Sequence, residues 1–227
     1  MTLPHPLDRP VWNALTGRWA RLASGDGRVW RVDPGIGPFA AAADPHDGAT
    51  LAALTPPTGE LWIVETEAMA PPGGVVNARQ LDLDQMVADA VDPPDTGIVI
   101  ESLGPANAAE MRAIATLTKP GPWEARTHEL GGFVGVRVDG RLVAMAGERM
   151  KPLGFTEVSG VCTHPNYRGR GYAGQLMRAV AARILAQGEQ PFLHVYPSNT
   201  GAIALYEALG FRRRRSVTMT VLTRTKG

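Results

Sequence analysis

The chain has 227 residues, 44% of them hydrophobic and 20% charged, with 26 glycines, 19 prolines and one cysteine. That composition excludes a collagen repeat, disorder throughout and a small disulfide scaffold, and it leaves enough chain to bury a core. The formal charge of +1 conceals a split: residues 1–95 hold 6 basic and 13 acidic side chains, a net of −7, whereas residues 96–227 hold 17 and 9, a net of +8. Such asymmetry points to an anionic ligand or partner for the basic half. Cys162 stands alone, so neither an intramolecular disulfide nor a thiolate metal site is expected, and a reducing, cytoplasmic setting is the default. No apolar run approaches the roughly 20 residues of a membrane span, and the first ten residues lack a secretory pattern, so no membrane partner is expected.

In chain order, Trp12, Leu15, Trp19 and Leu22 recur at helical spacing ahead of Gly25, Leu61 to Thr66 reads as a strand, and Asp84 is placed to cap a short helix through Val91. Proline and glycine punctuate this half at Pro56-Pro57, Pro71-Pro72-Gly73-Gly74 and Asp92 to Gly97. The last cluster coincides with the change in charge sign and sets the expected boundary between a domain of residues 1–95 and one of residues 96–227. The first carries no chemical motif.

Beyond the boundary, Ile98 to Leu103 reads as a strand and Met111, Ile114 and Leu117 share a helix face, with Asn107 and Glu110 spaced like a capping box. Phe133 to Val138 and Arg141 to Met150 flank Asp139-Gly140, a dipeptide suited to a type I′ hairpin. Phe155 to Thr163 is a further strand and leads through His164-Pro165 into a glycine-rich turn. A helix follows, carrying Leu176, Met177, Val180, Ile184 and Leu185 inward and ending near Gly188. Phe192 to Tyr196 is a strand, Thr200 to Leu209 a helix, and Phe211 onward a last strand. The order of this half is β-α-β-β-β-α-β-α-β.

Arg168-Gly169-Arg170-Gly171-Tyr172-Ala173-Gly174 falls between a strand and a helix. Free amides at such a junction, with the positive end of the helix dipole, suit phosphate oxygens; the glycines allow close approach, and the arginines add charge-assisted hydrogen bonds. The same residues satisfy G-x-G-x-x-G, but a dinucleotide site needs an acid at the end of the next strand. Here that strand ends Val195-Tyr196-Pro197-Ser198-Asn199.

From Arg168 to Ala173 the chain matches Q/R-x-x-G-x-G/A, and Asn199-x-x-Ala202-x-x-x-Tyr206-Glu207-x-x-Gly210-Phe211 follows at a fitting distance. In these two motifs residues 96–227 resemble the GNAT superfamily of acetyl-CoA-dependent N-acetyltransferases, and within it the FR47-like branch. The resemblance implies an α/β fold with a mixed, mostly antiparallel central sheet flanked by helices. It leaves residues 1–95 as a degenerate GNAT-like half, a lid over the acceptor channel or a dimerisation element of a homodimer. It implies acetyl-CoA as co-substrate, with the pantetheine arm on the backbone of Val161, Cys162 and Thr163, the pyrophosphate on amides from Arg168 to Gly174, and Asn199 capping the last helix within reach of the arm.

The implied reaction is direct attack of an amine, on a small molecule or a peptide, through a tetrahedral intermediate. Tyr206 occupies the position of the family's acid. Glu157, 11 positions before Arg168, stands where a general base is found in histone-acetylating members, and Glu148 is the reserve. A non-catalytic acyl-CoA-binding regulator on the same fold is the alternative. His128, His164 and His194 lack metal-ligand spacing, so no metal is expected. Arg212 to Arg215 forms a run of four arginines, but alternation along a strand splits it between two faces and no aromatic side chains interleave, so a contact with the acidic half is expected rather than nucleic acid. Only 16 residues follow Phe211, so either the sheet is truncated there or a strand from residues 1–95 completes it.

Overall fold

The computed structural model describes residues 5–70, 76–95 and 97–225; the punctuation at Pro71 to Gly74 lies outside them. From the start, helix α1 (Pro10–Leu15) leads into β1 (Ala23–Gly25), β2 (Val29–Val32) and β3 (Ala40–Ala42), a small antiparallel sheet. The helix is shorter than the apolar spacing implied. Gly17 donates to the Ala14 carbonyl at 3.2 Å, tightening the turn after Leu15, and glycine disfavours further α-helix. Trp19 is nevertheless buried, at 1% exposure. Helix α2 (Gly48–Leu54) is capped by Asp47, whose carboxylate accepts from the Thr50 amide at 3.0 Å, and β4 (Leu61–Glu65) and β5 (Val76–Val87) follow.

Asp84 caps no helix. It sits inside β5, where its carboxylate accepts from Arg213 at 2.6 Å. Leu81, Leu83 and Val87 alternate along this strand as a sheet requires, and pairing on both edges decides the conformation over any capping preference.

The rest follows the expected order: β6 (Glu101–Leu103), α3 (Ala108–Thr118), β7 (Phe133–Val138), β8 (Arg141–Glu148), β9 (Phe155–Thr163), α4 (Tyr172–Ala186), β10 (Gln190–Val195), α5 (Thr200–Ala208) and β11 (Arg212–Arg224). Between β7 and β8, Asp139 and Gly140 take φ of 50° and 76°, the two positive values a type I′ turn needs. Asn107 does not cap α3: Pro105 starts the helical path one turn earlier, the Asn107 side chain accepts from the Gly104 amide at 3.0 Å, and Glu110 pairs with Arg137 at 2.6 Å.

The eight-stranded sheet runs β4-β11-β5-β10-β9-β8-β7-β6. Of the two outcomes for its end, a strand from the acidic half completes it: β5 lies between β10 and β11, antiparallel to both, and β4 adds the edge beyond. The stretch around Asp95 therefore connects two strands of one sheet. On one face α4 buries Leu176, Met177, Val180 and Ile184 against Val134, Val136, Val143 and Val158. On the other face α3 covers Phe133, Met145 and Cys162, and the N-terminal elements cover Leu83, Val87, Phe192, Val217 and Met219. Each large apolar side chain buried in this way contributes about 1.5–3 kcal/mol, so the two halves share one core. The open space on this second face lies between α3 and the N-terminal elements.

Candidate active site

β9 and β10 pair in parallel only from Gln190↔Phe155 to Phe192↔Glu157 and then part. On its other edge β9 gains one residue against β8 between Ser159 and Cys162, and Gly160 in that bulge has φ of 64°. A bulge bends its strand. Val161, Cys162 and Thr163, beyond it, line a cleft of about 560 Å³ whose other walls are the glycine-rich turn and α5.

His164 enters this turn with its Nδ1 accepting from the Asn166 amide at 3.2 Å. Gly169 and Gly171 adopt φ of 75° and 77°, and a Cβ built on either meets only open space. No side chain among the described residues caps α4, so the amides of its first turn are left for a ligand. Arg168 and Arg170 are exposed at the rim, Arg170 with its guanidinium 5.0 Å from the Tyr167 ring centroid. Thr163 adds a buried hydroxyl without a hydrogen-bond partner among the described residues. Free amides, glycine space and arginines fit a pyrophosphate, and this orphaned hydroxyl fits a polar arm running along β9.

A second cavity, of about 550 Å³, adjoins the first and shares Val161, Asn199 and Tyr206 with it. Its far wall comes from the acidic half, through Phe39, Trp62, Val64 and Leu83, and its rim from Lys119 to Pro122. Tyr206 thus lies where the two spaces meet. Burial raises its pKa above the ordinary 10.0, so the phenol is protonated at neutral pH. Burial likewise pushes the Cys162 thiol up to about 11, which leaves it a packing group rather than a nucleophile.

Glu157 is 0% exposed and lines neither cavity. Its two oxygens accept from Nε and Nη2 of Arg149, both at 2.8 Å, and from the His194 Nδ1 at 2.7 Å. Burial works to raise its pKa, but the Arg149 charge and hydrogen bonds, with the bond from His194, outweigh it and hold the carboxyl well below the usual carboxylate range. Behind His194, the Gln85 amide nitrogen lies 3.1 Å from Nε2 and donates to the Leu7 carbonyl at 3.0 Å, while its oxygen accepts from Arg214 at 2.8 Å. That arrangement makes Nε2 the acceptor and Nδ1 the protonated nitrogen. Glu148, the reserve base, pairs with Lys151 at 2.6 Å and Arg183 at 2.8 Å and also lines neither cavity.

Residues 133–220 match a family profile described as FR47-like protein. A crystal structure from Novosphingobium aromaticivorans, described as an acetyltransferase of the GNAT family, superposes with a TM-score of 0.93 at 51% identity, covering 98% of this chain and 100% of that one. The chain belongs to the GNAT family of N-acetyltransferases.

A GCN5-related N-acetyltransferase from Kribbella flavida shares the same fold at 21% identity, with a TM-score of 0.64 over 96% of this chain and 95% of that one. The N-alpha-acetyltransferase RimI of Mycobacterium tuberculosis is 35% identical over 102 residues, 41% of this GNAT chain and 63% of that protein. All eleven residues expected to hold the coenzyme line one cleft, which Tyr206 also lines and Glu157 does not. Asn199 both lines the cleft and caps α5, its side chain accepting from the Ala202 amide at 3.3 Å. The loop from Lys119 was open to view in the sequence, but Phe39, Trp62, Arg149 and the placement of His194 on the second cavity were not, because no local motif joins residues so far apart along the chain. The four arginines reach Asp8, Asp84 and Asp89 of the acidic half, helped by an irregularity in register between Arg213 and Arg215 that brings both Arg214 and Arg215 to Asp8. No helix among the described residues is long and apolar enough to cross a membrane.

Proposed function

We propose that this GNAT chain transfers the acetyl group of acetyl-CoA to an amine held in the second cavity. The observation that carries this reading is the position of Tyr206 at the junction of the two spaces. Acetyl-CoA supplies a thioester carbonyl that a neutral amine attacks directly, giving a tetrahedral intermediate from which the thiolate departs. Amides from Arg168 to Gly174 hold the phosphates, and the β9 backbone from Val161 to Thr163 orients the arm. Tyr206 then donates its phenolic proton toward the sulfur, a role its raised pKa supports. The unactivated Cys162 thiol favours direct transfer over an acyl-cysteine route.

Glu157 fixes Arg149 and His194 in this reading. A carboxylate already ionised, with both oxygens engaged, is a weak acceptor for the amine proton, which passes to water. The resemblance to an N-alpha-acetyltransferase favours an α-amine acceptor. A free buried thiol accords with a cytoplasmic setting. Release of free coenzyme A across a panel of amines tests the reading: turnover on at least one α-amine is expected, and tight acetyl-CoA binding with no release from any of them would leave a regulatory module instead.

A further inference from the structure

The second cavity is apolar along most of its wall, through Phe39, Trp62, Leu83 and Met219, yet carries Lys119 and Arg149 and no aspartate or glutamate among its lining residues. Arg149 is the informative one. Its side chain is 15% exposed, and pairing with Glu157 occupies Nε and Nη2, which leaves Nη1 outside the pair. Nη1 stands 3.5 Å from where a side chain on Gly121 would begin, so the glycine keeps the approach to it open. The Phe39 ring lies 5.2 Å from the guanidinium carbon and fixes its plane. A guanidinium locked on one edge by a buried carboxylate and on its face by an aromatic ring loses little freedom when it binds a second anion.

We infer that the acceptor carries a carboxylate, held by Nη1 of Arg149 with Lys119 at the rim, beside an apolar body: a free α-amino acid with an apolar side chain is the smallest molecule of that description. This rests on the acetyl-transfer reading for the identity of the site but not for the recognition itself. A cationic or polyamine acceptor finds no counter-charge on this wall, whereas an amide in place of the carboxylate keeps the amine and loses the charge-assisted hydrogen bond.

The experiment compares leucine and phenylalanine with leucinamide and phenylalaninamide on the acetyl-CoA-loaded protein, by calorimetry and by coenzyme A release. The free acids are expected to bind at least about tenfold more tightly and to show kcat/KM higher by a similar factor. The double variant Arg149→Met/Glu157→Gln removes both charges together, so no lone ion is left buried, and should abolish the preference. Should that variant not fold, Lys119→Met, altered only at the exposed rim, should reduce the preference severalfold. Amides bound as well as or better than the acids would overturn the inference even if they are acetylated. Acids bound preferentially with no coenzyme A released would leave it standing while removing the transfer reading.

Discussion

Apart from Thr118, every residue lining the glycine-turn cleft lies between Val161 and Tyr206, whereas the second cavity takes its wall from Phe39 near one end of the sequence to Met219 near the other. The first is largely a backbone site. Its geometry comes from positive-φ glycines, a helix start and a strand that leaves its neighbour, all encoded over a short stretch. The second is a side-chain site assembled where two oppositely charged halves pack on one sheet face. A cleft of the first kind can be kept while the second is rebuilt, because substitutions on the N-terminal wall do not touch the glycine-rich turn.

The largest expected effect lies behind the boundary between the two. Glu157→Gln leaves Arg149 mostly buried without its counter-charge and should lower folding stability by about 3–5 kcal/mol in urea unfolding. Glu157 has its carboxyl pKa depressed in the fold, so its stabilisation is complete above the ordinary 4.5 and fades only as pH falls toward the folded value; the variant should lose that acid limb. Its activity against pH, by contrast, should keep the parent's shape if Glu157 takes no proton from the amine.

At the junction itself, Tyr206→Phe should lower kcat about 10²-fold while acetyl-CoA affinity stays within about twofold; unchanged turnover would remove the phenol from the mechanism. On the cleft side, Gly171→Ala places a methyl group in the open space at φ 77° and should weaken acetyl-CoA binding about tenfold, leaving the acceptor KM alone. Trp62→Ala acts on the other side. It should raise the acceptor KM about fivefold with acetyl-CoA KM unchanged, and a change in both constants would break the comparison. Smallest is the charge between the halves: raising salt from about 0.05 to about 0.5 M should cost about 0.5 kcal/mol, since most of the arginine run's pairs are partly exposed.

Much of the basic half was legible because its signals are local. The Asp139-Gly140 hairpin, the strand from Phe155 to Thr163 and the glycine turn each declare themselves within a few residues, and the element order follows. β5 did not declare itself. Gln85 interrupts its apolar alternation, and it does so where Arg214 and His194, both more than 100 positions away, supply its partners. Glu157 shows the same limit at the site. Its spacing from Arg168 placed it on the right strand, but spacing says nothing of Arg149 and His194, which engage both of its carboxylate oxygens.

The position of β5 also governs the order in which the chain can fold. Its hydrogen-bonding partners, residues 192–195 and 212–224, lie more than 100 positions further along the chain, so β5 waits for distant segments before either edge is covered. Pairings between residues so far apart raise contact order and slow folding, and an uncovered strand edge meanwhile invites association with other chains. The seam that joins the two halves therefore rests on pairings distant along the chain, and any delay in making them leaves the edges of β5 open to aggregation.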